Sequence, residues 1–513
     1  MKKTIFLSVF LLNLIAATAQ VQFVESNASL YESVRKSLNS ATNYNFIGYN
    51  NSDFYLLLGR QTLCKINSDV TQAETFPLSE KLLGEVLFNF NSDSGMGLIT
   101  FVENNNSLVF NRLTVLTDED DFSSEQLISL GIERGDSYKF IVCENSEKTV
   151  KSVLITLISK YNEYQCSYIL TFDVAGDLLW QTKIVPQFEK TNFTFDDIAV
   201  SNESNTVFII GKSYNLRNGL TSNTVLEIVQ VDPDGISDQI SEQCPFAEIR
   251  SMKCKILNNN NLFVAGFYKE GNNETDGGTF SALYNENLHD FSFKTKTFKE
   301  SLARGVKPST VFKSDFTKQI VGIYELSDTS IVVVGEDRQT KIQSNALANN
   351  VASPSYMFNA GNIFVGFYTP DGNLKNISVI YKNQIGEKVD VRYLPQIKSD
   401  EMLGNLRHLP VSVSAIKSGK KLFLVFNDNV QNPVHQNIAN REDFKQWEMK
   451  INGSTVLCTI EGNSIARRKT LLINAKEKNI IFHDVIYSND HKALFLMQLF
   501  KGKYDYTFGK LTY

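Results

Sequence analysis

Residues suited to chemistry are few in this chain and widely spaced. Five histidines occur, at His289, His408, His435, His483 and His491. If His408 and His435 met across neighbouring loops, carboxylates such as Asp390, Glu401 or Asp443 could complete a metal site, since imidazole and carboxylate together suit transition metals. His483 precedes Asp484, but adjacent residues on a strand point to opposite faces and cannot pair side by side. The acidic run 118–121 could attract calcium, and reads more simply as a solvated loop. The GxSxG elbow, HExxH, the phosphate-binding glycine loop and EF-hand spacing are all missing. The expectation is therefore no catalytic residue, no metal and no cofactor.

Residues suited to recognition are more plentiful. Arg338, Tyr356, Arg392, Tyr393, His408, His435, Arg441 and Trp447 fall in three long polar stretches, 336–360, 382–410 and 427–454. Arginine and aromatic side chains anchor interfaces because they bury large areas and donate directed hydrogen bonds. Trp447 is one of only two tryptophans and could also stack on a sugar ring. With Glu442 and Asp443 beside it, a glycan hydrolase is the enzymatic alternative. Its two carboxylates would need a separation in space that sequence spacing cannot supply.

What must position these residues is a repeat. Short apolar runs recur at 54–58, 98–102, 153–157, 207–210, 262–265, 331–334, 422–426 and 494–497, four of them followed directly by Gly59, Gly211, Gly266 or Gly335. Each run sits among three other strand-like segments, so one β unit repeats along the chain. The units fall at about 43–76, 84–130, 138–185, 192–240, 250–298, 318–381, 411–472 and 479–512. Three of them carry an Asp/Gly turn at the same place, between third and fourth strands: 173–177, 232–235 and 370–373. Glycine suits such turns because it accepts positive φ.

The pattern predicts an all-β chain folded as a single β-propeller of eight blades, with seven as the alternative. The last unit offers only three strands, and 21–25 supplies a fourth, so pairing of the N- and C-terminal strands would close the ring. Two stacked sandwiches would also give many short strands, but the middle of the chain lacks a linker composition. A parallel β-helix would need shorter and stricter repeats. The WD series, the paired glycines of kelch units and the sialidase box are absent. The one helix expected is 28–38, with Leu30, Val34 and Leu38 as its stripe. In an alternating blade the Asp/Gly turns share one trimmed face, and the three long stretches gather on the other, above the sixth and seventh blades.

Residues 1–19 read as a secretory signal peptide: Lys2 and Lys3, an apolar stretch, then Ala17-Thr18-Ala19. Gln20 follows where a lipobox would place cysteine. Loss of the leader leaves 49 basic against 56 acidic residues, a net charge of −7, which argues against nucleic-acid partners. No later segment is long and apolar enough to span a bilayer. Six cysteines without a CxxC exclude zinc and redox motifs; Cys143 with Cys166, or Cys244 with Cys254, could pair, and the simpler expectation is buried thiols.

The Ala-Gln leader end, the abundant asparagine, the FLVFNDN run at 423–429 and KYDYTFGKLT at 503–512 resemble uncharacterised secreted propeller-like proteins of Bacteroidota. The resemblance implies a periplasmic or secreted location and no activity. The combined expectation is a non-catalytic binding or scaffolding propeller of the bacterial envelope, engaging a protein or glycan through the long-loop face.

Overall fold

Each apolar run becomes the second strand of an antiparallel sheet whose two faces are both covered. The computed structural model describes residues 22–25 and 44–513, apart from 345–353, 391–411, 433–446, 474–479 and shorter stretches between strands. The expected leader, the helix at 28–38 and the acidic run at 118–120 lie outside the described residues.

Eight sheets follow one another, at 44–77, 85–131, 137–184, 192–243, 248–297, 317–390, 414–473 and 480–512. The first strands of neighbouring blades pack against each other around a common axis. This makes the molecule an eight-bladed β-propeller. In the eighth blade the fourth, outermost strand is Gln22–Glu25, paired antiparallel with Tyr504–Thr512 from Gln22 opposite Thr512 to Glu25 opposite Gly509. The chain's two ends thus share one sheet, and the ring is closed by backbone hydrogen bonds.

The described core divides into eight clusters, and each lies between two adjacent blades. The second strand of blade 1 shows why the apolar runs are uninterrupted. Phe54, Leu56 and Leu58 enter the seam with blade 8, whereas Tyr55 and Leu57 enter the seam with blade 2. A strand covered on both faces loses the usual polar alternation. Burying each such side chain stabilises the fold by about 1.5–3 kcal/mol before entropy is counted.

The first strands carry a feature the repeat did not announce. Six of them have a β-bulge near the same level: Phe46/Gly48, Val86/Phe88, Phe195/Asp197, Ile249/Ser251, Ile320/Gly322 and Phe482/Asp484. A bulge adds one residue to one strand and strengthens its local twist. It also explains the glycines that end several apolar runs. Gly211 lies opposite the bulge of blade 4, where a Cβ would stand 2.4 Å from the Thr194 carbonyl oxygen. Gly59 differs, being a turn residue at φ 62°. Gly211→Val is therefore expected to cost about 1–3 kcal/mol through overpacking, read from the denaturant midpoint. A midpoint equal to the parent's would refute the bulge explanation.

All three Asp/Gly turns join third to fourth strands as expected, with Gly176, Gly235 and Gly372 at positive φ. Two of them also bind the preceding blade. Arg112 of blade 2 bridges Glu125, at 2.5 Å, and Asp177 in the turn of blade 3. In blade 5, Ser281 Oγ donates to the Gly372 carbonyl at 2.6 Å, and Lys294 reaches Asp371 at 3.3 Å. All six cysteines are free thiols, five of them buried, as the simpler reading expected, and neither possible disulfide forms. Burial pushes thiols such as Cys64 up to about 12, where they are poor nucleophiles.

Candidate binding face over blades 6 and 7

Blade 6 is longer than its neighbours on one side only. Its second and third strands, Ser330–Ser344 and Pro354–Tyr368, each run 15 residues, while its first strand, Thr317–Ser327, pairs with the second only as far as Arg338. Beyond that level the two strands continue together and gain another neighbour. Leu374–Ile380 pairs with one half of the third strand and Gln384–Asp390 with the other. Trp447–Glu448, from the connection between the second and third strands of blade 7, then adds in parallel to Gln384 and Ile385. A small sheet therefore stands above the propeller face that carries the second-to-third connections.

The supposed loop 336–360 is thus mostly strand, with 345–353 between the strands outside the described residues. The stretch 382–410 begins with a strand, and 427–454 includes Asn427–Asn429, Trp447–Glu448 and the start of Gly453–Glu461. Polar residues misled the reading because their polarity is satisfied by burial in pairs rather than by solvent.

The root of the raised sheet is a buried charge network. Glu336 and Asp337, directly after Gly335, have no exposed surface. Glu336 Oε1 accepts from Lys382 Nζ, while its Oε2 accepts from Arg338 Nε at 2.9 Å and Ser412 Oγ at 2.6 Å. Lys382 donates again to Gln384 Oε1 at 2.8 Å and lies 5.8 Å from the Phe426 ring centroid. Gln384 Nε2 donates to the Asn427 carbonyl at 2.5 Å. The Asn427 side chain bonds both backbone groups of Phe482, accepting at 3.1 Å and donating at 2.6 Å. The chain of contacts thereby joins blades 6, 7 and 8. Asp337, on the opposite face of its strand, pairs with buried Lys318 at 3.8 Å.

Burial alone would raise the Glu336 carboxyl, but Lys382 and Arg338 outweigh it and hold the group below the ordinary carboxylate range. A carboxylate that is ionised, enclosed and saturated with donors neither gives nor takes a proton near neutrality. Ser412, where the link from blade 6 enters blade 7, holds φ at 151°, which L-residues rarely adopt. Its hydroxyl also accepts from Arg338 Nη2 at 2.8 Å, so the network clamps the strained residue.

Of the residues expected to make contacts, Arg338 is spent internally: its remaining nitrogen, Nη1, donates to Gln319 Oε1 at 3.1 Å. It positions the face instead of projecting from it. The backbone of Tyr356 lies in the raised sheet, opposite Ile342 and Val389, and that of Trp447 lies opposite Gln384. Arg392, Tyr393, His408, His435 and Arg441 lie outside the described residues, as do Glu442 and Asp443. Among the described residues no cluster of histidine, cysteine and carboxylates could hold a metal. Glu336, Lys382, Gln384 and Asn427 were missed as a set. Their one signal was a pair of acids, Glu336 and Asp337, directly after the glycine that ends an apolar run.

No family model and no curated protein matches the chain. Among solved structures, the chain is similar to the polysaccharide lyase Uly1, at 8% identity and a TM-score of 0.37, over 97% of this chain and 98% of that one. It is also similar to a levansucrase of B. megaterium, at 9% identity and a TM-score of 0.30, over 66% and 85%. A mannose phosphorylase from Leishmania mexicana aligns at 9% identity and a TM-score of 0.25, over 73% and 83%. The eight-bladed architecture rests on the chain's own strand pairing and ring closure.

Proposed function

We propose that this chain is a non-catalytic binding or scaffolding propeller of the bacterial envelope. It engages a protein or glycan through the raised sheet and long links above blades 6 and 7. The observation that carries the reading is the Glu336–Lys382 network, which spends several buried charges on holding that sheet and the entry to blade 7 in one arrangement. Rigid support beneath an elaborated face suits recognition, since a pre-ordered surface has less freedom to lose on binding. The acids in this network are enclosed and ion-paired, which suits a framework better than acid–base work. The leader at 1–19 and the resemblance to secreted Bacteroidota proteins support an envelope location.

The test is capture from envelope extracts by the mature chain and by a chain lacking 433–446. That deletion spares Asn427 and the flanking strands. A partner or glycan retained only by the intact protein is expected. Equal capture by both forms would remove the face from consideration. Turnover of a glycoside panel, abolished by Glu442→Gln or Asp443→Asn, would establish the hydrolase instead.

A further inference from the structure

We infer that the outer seam between blades 5 and 6 is a binding site for a small carboxylate-bearing ligand of sugar-acid size. A cavity of about 330 Å³ opens there, in the size range of small-molecule sites. Its lining includes Thr279, Ser281, Lys294, Lys296, Tyr368 and Asn373. Thr279, Ser281 and Tyr368 are each less than 5% exposed, so the floor is fixed by the fold.

The charge of this cavity follows from comparing two seams through their bulges. In blade 2 the bulge places Ile99 opposite Phe88; Ile99 pairs with Arg112, and Arg112 with Glu125. In blade 5 the bulge places Phe267 opposite Ser251; Phe267 pairs with Thr279, and Thr279 with Lys296. The turns of the following blades correspond as well. Asp177 and Asn373 each precede the leucine that pairs with the last aromatic residue of the third strand, Phe172 with Leu178 and Tyr368 with Leu374. Thus Arg112, Glu125 and Asp177 in one seam become Thr279, Lys296 and Asn373 in the other.

That exchange has two consequences. Threonine in place of arginine leaves out the volume of a long side chain, and Thr279 lines the cavity. The charge of the three positions also inverts, from one cation between two carboxylates to one cation between neutral groups. Counted over these three positions, the guest that would complete the second seam as Arg112 completes the first is an anion.

The surrounding groups define the guest further. Lys296 Nζ donates to the Leu374 and Lys375 carbonyls, at 3.2 and 3.4 Å, and an ammonium has a third proton to give. Lys294, two residues earlier on the same strand face, adds a second ammonium beside Asp371. Glu300 is the acid at the rim, and its Oε2 is tied to Thr297 by the N–H at 3.0 Å and the hydroxyl at 2.7 Å. Hydroxyl, amide and carbonyl groups around two ammoniums suit a ligand with one carboxylate and several hydroxyls.

Titration calorimetry on the mature chain tests this with D-glucuronate, beside D-glucose and inorganic phosphate. Saturable binding of glucuronate is expected, at least about tenfold tighter than either of the others, and weakened by added salt. Lys296→Ala should weaken it by about tenfold or more, with circular dichroism unchanged. Thr279→Arg with Lys296→Glu and Asn373→Asp, which installs the blade 2 arrangement, should abolish it and leave the seam filled. No binding of glucuronate, equal binding of glucose, or equal binding of phosphate would each overturn the assignment. So would glucuronate affinity unchanged in the Lys296→Ala protein.

Discussion

Lys382→Met is expected to destabilise the protein by about 3 kcal/mol or more, the range for removing one partner of a buried ion pair. The substitution keeps the length and apolar stem of the side chain, so the loss comes from charge. Glu336 would remain fully enclosed with Arg338 and Ser412 as its donors, and Arg338 is itself 24% exposed at the side chain. Gln384 would lose its bond to the ammonium, loosening the connection to Asn427 and so to blade 8. The companion variant, Glu336→Leu with Lys382→Met, removes both buried charges together and should recover most of the loss, because neither ion then pays for desolvation.

Acid gives a second readout of the same pair. The Glu336 carboxyl is held below its unfolded value, near 4.3 for a free glutamate, so its stabilisation is complete above that value. It is lost as pH falls through the lower folded value. Removing Lys382 should narrow that margin, making unfolding set in at higher pH than in the parent. Denaturant midpoints at neutral and acid pH measure both effects. A single variant as stable as the parent at neutral pH would mean the network carries little of the structure.

The same network marks where sequence reading succeeded and where it stopped. The strand order of the blades was legible because runs such as 54–58 alternate between two seams, and both seams demand apolar side chains. The closing strand was legible because the last unit had three strands and 21–25 offered a fourth. Glu336 and Asp337 were read as loop because acids after a glycine ordinarily meet water. Only the third dimension supplies Lys382, 46 residues away from Glu336, and Lys318 for Asp337. The parallel addition of Trp447–Glu448 to Gln384 was equally hidden, since no local pattern announces a partner on another blade. The bulges left a trace in Gly211 and Gly266, visible as a recurrent glycine but uninterpretable before the first strand was laid beside the second. The Asp/Gly turns were read as trimmed ends, whereas those of blades 3 and 6 fasten neighbouring blades.

Phe508→Ala is expected to produce the other large loss, about 3–5 kcal/mol, as a cavity in the seam between the last and first blades. Phe508 is 1% exposed and packs in one cluster with Phe54, Leu56 and Leu494. The informative comparison is Phe110→Ala, an equally enclosed phenylalanine in the seam of blades 2 and 3. The chemistry removed is the same, so cavity cost alone predicts similar losses. The seams differ in connectivity. Blades 2 and 3 are joined by a short covalent link, whereas blades 8 and 1 are held by seam packing and, through the N-terminal strand, by the pairing of Gln22–Glu25 with the C-terminal strand. Weakening the closing seam should therefore let the ring open there before the remaining blades unfold. Urea unfolding of the Phe508→Ala protein is expected to show a lower slope or two stages, and hydrogen exchange should rise first in Tyr504–Thr512. Phe110→Ala should keep a single steep transition at a lower midpoint. Identical transitions for the two variants would mean that the ring unfolds as one unit and that the closing strand contributes no special stability.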